Sequence, residues 1–146
     1  MMAMPKILAS FDNNRNNGFA TAKAASTLFE VGQFLTYDGS GGVIPVATVT
    51  DKILGLSNQQ ITAASADYAN TDDINVSTPV NIMDFLTIPV TNGDTSSFVV
   101  GTYVDVDVAN GSGSVDSATA GTGTQILITR VIDLQTIKGA IASKVA

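Results

Sequence analysis

The residues that could do chemistry are few, and most are aspartates. Two close pairs stand out: Asp72-Asp73, and Asp105 with Asp107. Two carboxylates facing each other across a cleft can work as acid and base on a glycosidic bond. Adjacent carboxylates in a loop can help hold Ca²⁺. Neither pair has the ligand spacing of an EF-hand loop. Asp105 and Asp107 fall on one side of an alternating segment, the side expected to face water. The chain contains no histidine and no cysteine. A Ser-His-Asp or Cys-His nucleophile cannot be built from it, nor a zinc site of the usual nitrogen and sulfur ligands. Two glycine-rich runs, Gly39-Ser40-Gly41-Gly42 and Gly121-Thr122-Gly123, lack the Lys-Ser/Thr that completes a phosphate-binding loop, and neither opens a helix. Both read as turns. The expectation is a protein that is not an enzyme, with no catalytic residue, no metal and no cofactor. Arg130 stands in an apolar run. A charge buried there needs a partner, either an Asp of the same chain or one across a subunit interface.

The elements that would position these residues are β-strands. Val31-Gly32-Gln33-Phe34-Leu35-Thr36-Tyr37-Asp38-Gly39-Ser40-Gly41-Gly42-Val43-Ile44-Pro45-Val46 reads strand, glycine turn, strand, and is answered by Lys52-Ile53-Leu54-Gly55-Leu56. It reads as the corner of a small β-barrel. Leu28–Tyr37 is rich in β-formers, with Gly32 a bulge or close-approach point. Asp38-Gly39 is a hairpin signal. Val43–Val49 is the return strand. Pro45 cannot donate to a ladder, so that strand sits at an edge or is irregular there. Ile53–Ile61 follows as a strand, and Thr62–Asp73 as a loop in preference to a short helix.

Ile74–Val80 and Asn81–Thr91 are the next strands. Val80, Ile82, Leu86, Ile88 and Val90 share one face of the second, a face that Asp84 interrupts. Thr91-Asn92-Gly93-Asp94 is a turn. Phe98–Val108 alternates most cleanly, Val100, Thr102, Val104, Val106 and Val108 towards a buried face, Tyr103, Asp105 and Asp107 towards a wet one. Asn110-Gly111-Ser112-Gly113-Ser114 turns the chain, and Ala118–Thr124 is a loop. Ile126–Leu134 reads as a strand buried on both sides. In the tail, Leu134, Ile137, Ile141 and Val145 have helical spacing that Gly139 weakens, so helix and closing strand both stand. Val31-Gly32-Gln33-Phe34-Leu35 is faintly echoed by Val100-Gly101-Thr102-Tyr103-Val104, without the fixed period of a solenoid.

Composition narrows the function classes. At 146 residues the chain can bury one real core. Charged residues are only 14% against 45% hydrophobic, so Thr, Ser, Asn and Gly, or other protein chains, must cover the surface. Acidic residues outnumber basic ones 13 to 7, for a net charge of −6. That sign repels phosphate backbones, and the basic residues are scattered, which argues against nucleic acid. Apolar runs break well short of the ~20 residues that span a bilayer, which argues against a membrane. The first ten residues lack the long apolar run of a secretory signal and read as a mature cytoplasmic start.

Residues 1–27 differ from the rest. Asn13-Asn14-Arg15-Asn16-Asn17 favours turns over ladders. Thr21–Ser26 could form one helical turn, too short to stand alone. The aromatics argue for an extended arm that orders on a partner, with Ile7, Phe11, Arg15 and Phe19 as contact residues. The expected organisation is this arm, residues 1–27, followed by a β-barrel-like domain, residues 28–146.

Three segments together carry a resemblance: Val31-Gly32-Gln33-Phe34-Leu35; Asp38-Gly39 through Val43-Ile44-Pro45-Val46-Ala47; and Ile53-Leu54-Gly55-Leu56. They resemble the opening module of tailed-phage capsid decoration (cement) proteins over residues 28–60, with a weaker echo at 98–134. The resemblance implies an all-β, small β-barrel or β-tulip-like fold. It implies a homotrimer on the outside of a phage head, with the major capsid protein as partner, made in the host cytoplasm and located on the virion exterior. The competing expectation is a β-sandwich adhesin or carbohydrate-binding head-fibre module. Its exposed aromatics would have to come from Tyr37, Tyr68 and Tyr103, since there is no Trp. A two-carboxylate hydrolase ranks third.

Overall fold

The structure is a computed structural model and describes residues 9–11, 16–79, 86–91 and 94–145. The described chain is all-β. Its strands are β1 (Ser10–Phe11), β2 (Asn16–Ala22), β3 (Phe34–Tyr37), β4 (Val43–Pro45), β5 (Gly55–Ser57), β6 (Asp73–Pro79), β7 (Leu86–Thr91), β8 (Tyr103–Val104), β9 (Val115–Asp116), β10 (Ile126–Asp133) and β11 (Thr136–Ile141). The helical content of the described residues is two short 3₁₀ turns, Val108–Asn110 and Ser117–Thr119.

The strands form two sheets. One has the order β2-β6-β5-β3-β4. A parallel bridge between Lys23 and Val43 ties the end of β2 to β4, so this sheet is a nearly closed barrel. The other runs β1-β7-β11-β10-β8, with β9 parallel to β7. Phe29, Leu35, Val43, Ile61, Ile74 and Val76 fill the first barrel. A larger core joins Leu86, Ile88, Val104, Ile126, Ile128 and Ile137 of the second sheet to Phe34, Val46, Ile53 and Leu56 from the first. The two sheets therefore share apolar packing. Each such fully buried side chain contributes about 1.5–3 kcal/mol.

The hairpin at the barrel corner forms as the glycines suggest. Tyr37 pairs with Val43, and the Asp38 N–H donates to the Gly42 carbonyl at 2.9 Å across the turn. The Asp38 carboxylate accepts the N–H groups of Ser40 and Gly42. Pro45 lies on β4, at the end of its sheet, where its missing N–H costs no ladder bond. The strand expected from Leu28 begins only at Phe34. The Gln33 N–H donates back to Glu30, and Gly32 at φ 91° makes Glu30–Gln33 a type II turn.

Several other elements differ from the sequence reading. β2 and β1 both fall within residues 1–27. β2 pairs with β6 along its whole length, and Ser10 and Phe11 pair with Thr87 and Leu86. The helical turn expected at Thr21–Ser26 is absent, because residues 21–22 continue β2. Phe98–Val108 keeps only Tyr103–Val104 as strand; a second type II turn at Val99–Thr102, with Gly101 at φ 90°, takes up its first half. β10 is buried on one face only and Arg130 is exposed, so its charge needs no buried partner. The tail resolves as strand β11, with Ile137 and Ile141 buried. Its pairing with both β7 and β10 supplies ladder bonds on two sides, which outweighs weak helical spacing. Val80, Ile82, Asp84, Asn92 and Gly93 lie outside the described residues.

Candidate functional site

The aspartates expected on a wet face are buried. Asp105 is 7% exposed and Asp107 4%. The reason is local: the chain leaves the strand after Val104, and both carboxylates turn back to hold loops. Asp105 Oδ1 accepts the Thr124 N–H at 2.8 Å, and its own N–H donates to Thr119 Oγ1 at 2.9 Å. Asp107 caps the first 3₁₀ turn, accepting the Asn110 N–H at 3.2 Å and Asn110 Nδ2 at 3.0 Å. A short side chain with free acceptor oxygens is suited to such backbone donors. These contacts describe two loop braces. Asp72 and Asp73 are exposed where the chain enters β6. No group of three or more acidic, histidine or cysteine side chains that could hold a metal ion is found among the described residues.

The four arm residues are not brought together within the described structure. Ile7 and Arg15 lie outside it. Phe11 stands on β1, paired with Leu86 of the second sheet. Phe19 stands on β2, paired with Val76, and is half-buried against the core of the first barrel.

Sequence reasoning missed Lys23, treating it as one of several scattered bases. It is fully buried, and its ammonium donates to the backbone carbonyls of Asn70 and, at 3.5 Å, Tyr68. Its backbone is held as well: Lys23 N–H donates to Asp72, and the next N–H, of Ala24, donates to Val43. The side chain therefore clasps the 62–73 loop over one end of the first barrel. A lysine in the Ala-rich run Ala22-Lys23-Ala24-Ala25 carries no pattern that marks it as buried. Asp38, Ser40, Gly42 and Thr71 line a concavity beside it. A second concavity is lined by Leu28, Phe29, Glu30, Gln33 and Ile61.

Of the exposed large apolar side chains, Leu28 and Val31 fall at or beside the first type II turn and Val99, Val100 and Tyr103 at or beside the second, while Tyr37, Val49, Ile132 and Leu134 lie elsewhere. A type II turn places few demands on its second residue, so neither Val31 nor Val100 is required there by the fold. Among the described residues no helix is long and apolar enough to cross a membrane. Compared with protein-family profiles, curated proteins and solved structures, the chain matches none.

Proposed function

We propose that this is a structural capsid decoration (cement) protein, binding the outer surface of a phage head and stabilising its lattice. The observation that carries the reading is the module at residues 31–56. The residues that resemble the decoration family fold together as the β4–β3–β5 corner of a nearly closed barrel. Two further features support it. The carboxylates best placed for chemistry are engaged as loop braces. The two turns expose apolar side chains that a protein surface could cover. In this reading the protein acts on the virion exterior as a homotrimer, with the major capsid protein as partner. Ile7, Phe11 and Arg15 are the contact candidates. Phe19 is half-engaged in the barrel core. Many weak contacts in a symmetric array would clamp the lattice by multivalency.

The test is addition of purified protein to undecorated, expanded heads. Co-sedimentation with the heads and raised resistance to heat or osmotic shock are the expected results. Failure to bind, or binding without stabilisation, would sink the reading.

A further inference from the structure

The two sheets repeat each other. Phe29-Glu30-Val31-Gly32-Gln33-Phe34-Leu35 and Phe98-Val99-Val100-Gly101-Thr102-Tyr103-Val104 share Phe, Val and Gly at corresponding places. In each, the glycine N–H donates to the opposing strand, Gly32 to Ser57 and Gly101 to Ile128. In each, that strand donates back, Ser57 to Gln33 and Ile128 to Thr102. The pairing registers then match strand by strand. Phe34 pairs with Leu56 as Tyr103 pairs with Leu127. Leu56 pairs with Ser77 as Leu127 pairs with Ala140. Val76 pairs with Phe19 as Gly139 pairs with Leu86. Closure also matches. Val43 is antiparallel to Tyr37 and parallel to Lys23; Val115 is antiparallel to Val106 and parallel to Val90. Ahead of each closing strand stands the same tripeptide, Gly39-Ser40-Gly41 and Gly111-Ser112-Gly113. The chain holds two copies of one unit, β2–β6 and β7–β11.

The copies are joined unsymmetrically. The Gly111–Gly113 loop of the second unit is seated on the first. Gly111 O accepts from Gln33 Nε2 at 2.8 Å, Ser112 O accepts the Phe34 N–H at 2.8 Å, and Ser112 Oγ donates to Val46 O. Phe34 and Leu56 are buried at this seat, at 0% and 3% exposure. Their counterparts in the second unit are Tyr103, 42% exposed and three residues beyond exposed Val100, and the half-buried Leu127. The counterpart loop, Gly39-Ser40-Gly41, is likewise exposed. Among the described residues, one loop and one seat are joined within the chain, and one loop and one seat remain open.

We propose that a second copy of this chain joins them: the Gly39-Ser40-Gly41 loop of one copy seats on the Tyr103–Leu127 face of the next. The contact within the chain shows what such a seat takes, a Gly-Ser-Gly loop whose carbonyls meet backbone and side-chain donors. The Tyr103 N–H stands where the Phe34 N–H stands, and would donate to the Ser40 carbonyl. Thr102 replaces Gln33, but its hydroxyl already donates to the Val99 carbonyl at 2.7 Å, so the Tyr103 N–H is the donor this seat offers. The two surfaces differ, so the contact is heterologous and builds a ring when its rotation closes or a filament when it does not. It stands independently of head binding.

The test is sedimentation velocity over a concentration series, with Tyr103→Arg to break the seat and Ser40→Arg to break the loop. Wild type is expected to associate, and each variant alone to remain monomeric. An equimolar mixture of the two variants should stop at the dimer, because each brings one intact surface. A symmetric contact would not be rescued by mixing. Tyr103→Ser is the milder seat variant, and the one with a wild-type circular dichroism spectrum is the one read. A wild type that stays monomeric at its highest soluble concentration overturns the proposal, as do variants that associate like wild type. Monomeric protein that still binds heads would remove this contact and leave the decoration reading intact; an associating protein that ignores heads would do the reverse.

Discussion

Ser77 has a glycine beside it on each neighbouring strand, and the two should respond oppositely to the same substitution. On β5, a β-carbon at Gly55 would lie 2.2 Å from Ser77 O, 3.0 Å from Ser77 C and 3.1 Å from Thr78 Cα. All three are backbone atoms. An ordinary carbon–oxygen contact is about 3.3 Å, so Gly55→Ala must open the sheet by about 1 Å. β6 cannot simply retreat, because its other side is laddered to β2 from Asn16 to Ala22. The cost belongs at the top of the overpacking range, about 3 kcal/mol. On β2, Gly18 is the register partner of Ser77, and a β-carbon there meets nothing within 4 Å. Gly18→Ala should stabilise by about 0.5 kcal/mol, by reducing the entropy of the unfolded chain. The two variants should differ by about 3.5 kcal/mol. Urea denaturation measures this, and for a chain of this length it corresponds to a gap of roughly 10–15 °C in Tm. Equal stability of the two variants would refute the claim that the β5–β6 approach at Ser77 excludes a side chain.

Removing the clasp by Lys23→Ala should cost about 2–4 kcal/mol from the cavity and the lost carbonyl partners. Amide hydrogen exchange should then quicken across residues 62–73 while β10 and β11 keep their protection. Asp105→Ala and Asp107→Ala should each destabilise by about 1–2 kcal/mol by releasing loop donors. Neither should weaken binding to phage heads in co-sedimentation, since both side chains are buried away from any partner. The Ser96 side chain and then its backbone N–H hold the Asp94 carboxyl below its ordinary pKa. The stabilising effect of that turn is therefore complete above the ordinary carboxylate range and is lost as pH falls through the depressed value. Carboxyl NMR titration should show Asp94 moving back up towards the ordinary value in Ser96→Ala.

The all-β class and the barrel corner were legible because their signals are local. Asp38-Gly39 sets a hairpin, and Pro45 excludes a central strand. Leu86, Ile88 and Val90 alternate as one buried face requires. What was misread depended on distant partners. Asp105 and Asp107 alternate with valines and look wet, but Thr124 and Asn110 supply donors that make burial favourable. Ile126–Leu134 looks buried on both sides, yet only one of its faces meets the core. The tail has helical spacing, and the ladders offered by β7 and β10 decide against it. Lys23 was invisible as a site because its acceptors are backbone carbonyls, which no residue type announces.

The internal repeat also shows what a buried lysine requires at this position. Lys23 and Val90 occupy one position, each lying parallel to the valine that closes its sheet. A valine suits that interior without further support. An ammonium there requires oxygens, since burying an unpaired charge costs several kcal/mol. The second unit passes from β10 to β11 by the tight Asp133–Thr136 turn, whose Gln135 carbonyl reaches this end but is taken by the Val90 N–H, as the Asp72 carbonyl is by the Lys23 N–H. The first unit passes from β5 to β6 through the 62–73 loop, whose Tyr68 and Asn70 carbonyls are those the ammonium meets. Lysine and loop depend on each other: the loop supplies acceptors to the lysine, and the lysine fixes a small, polar segment that has little apolar surface of its own to bury. The units have diverged elsewhere too. Where the first buries Phe34 under its neighbour, the second carries Tyr103, whose ring remains apolar enough to be covered and whose hydroxyl tolerates water when it is not. A residue at an open end of a repeating contact must be acceptable both free and docked, and tyrosine meets that condition better than the phenylalanine it matches.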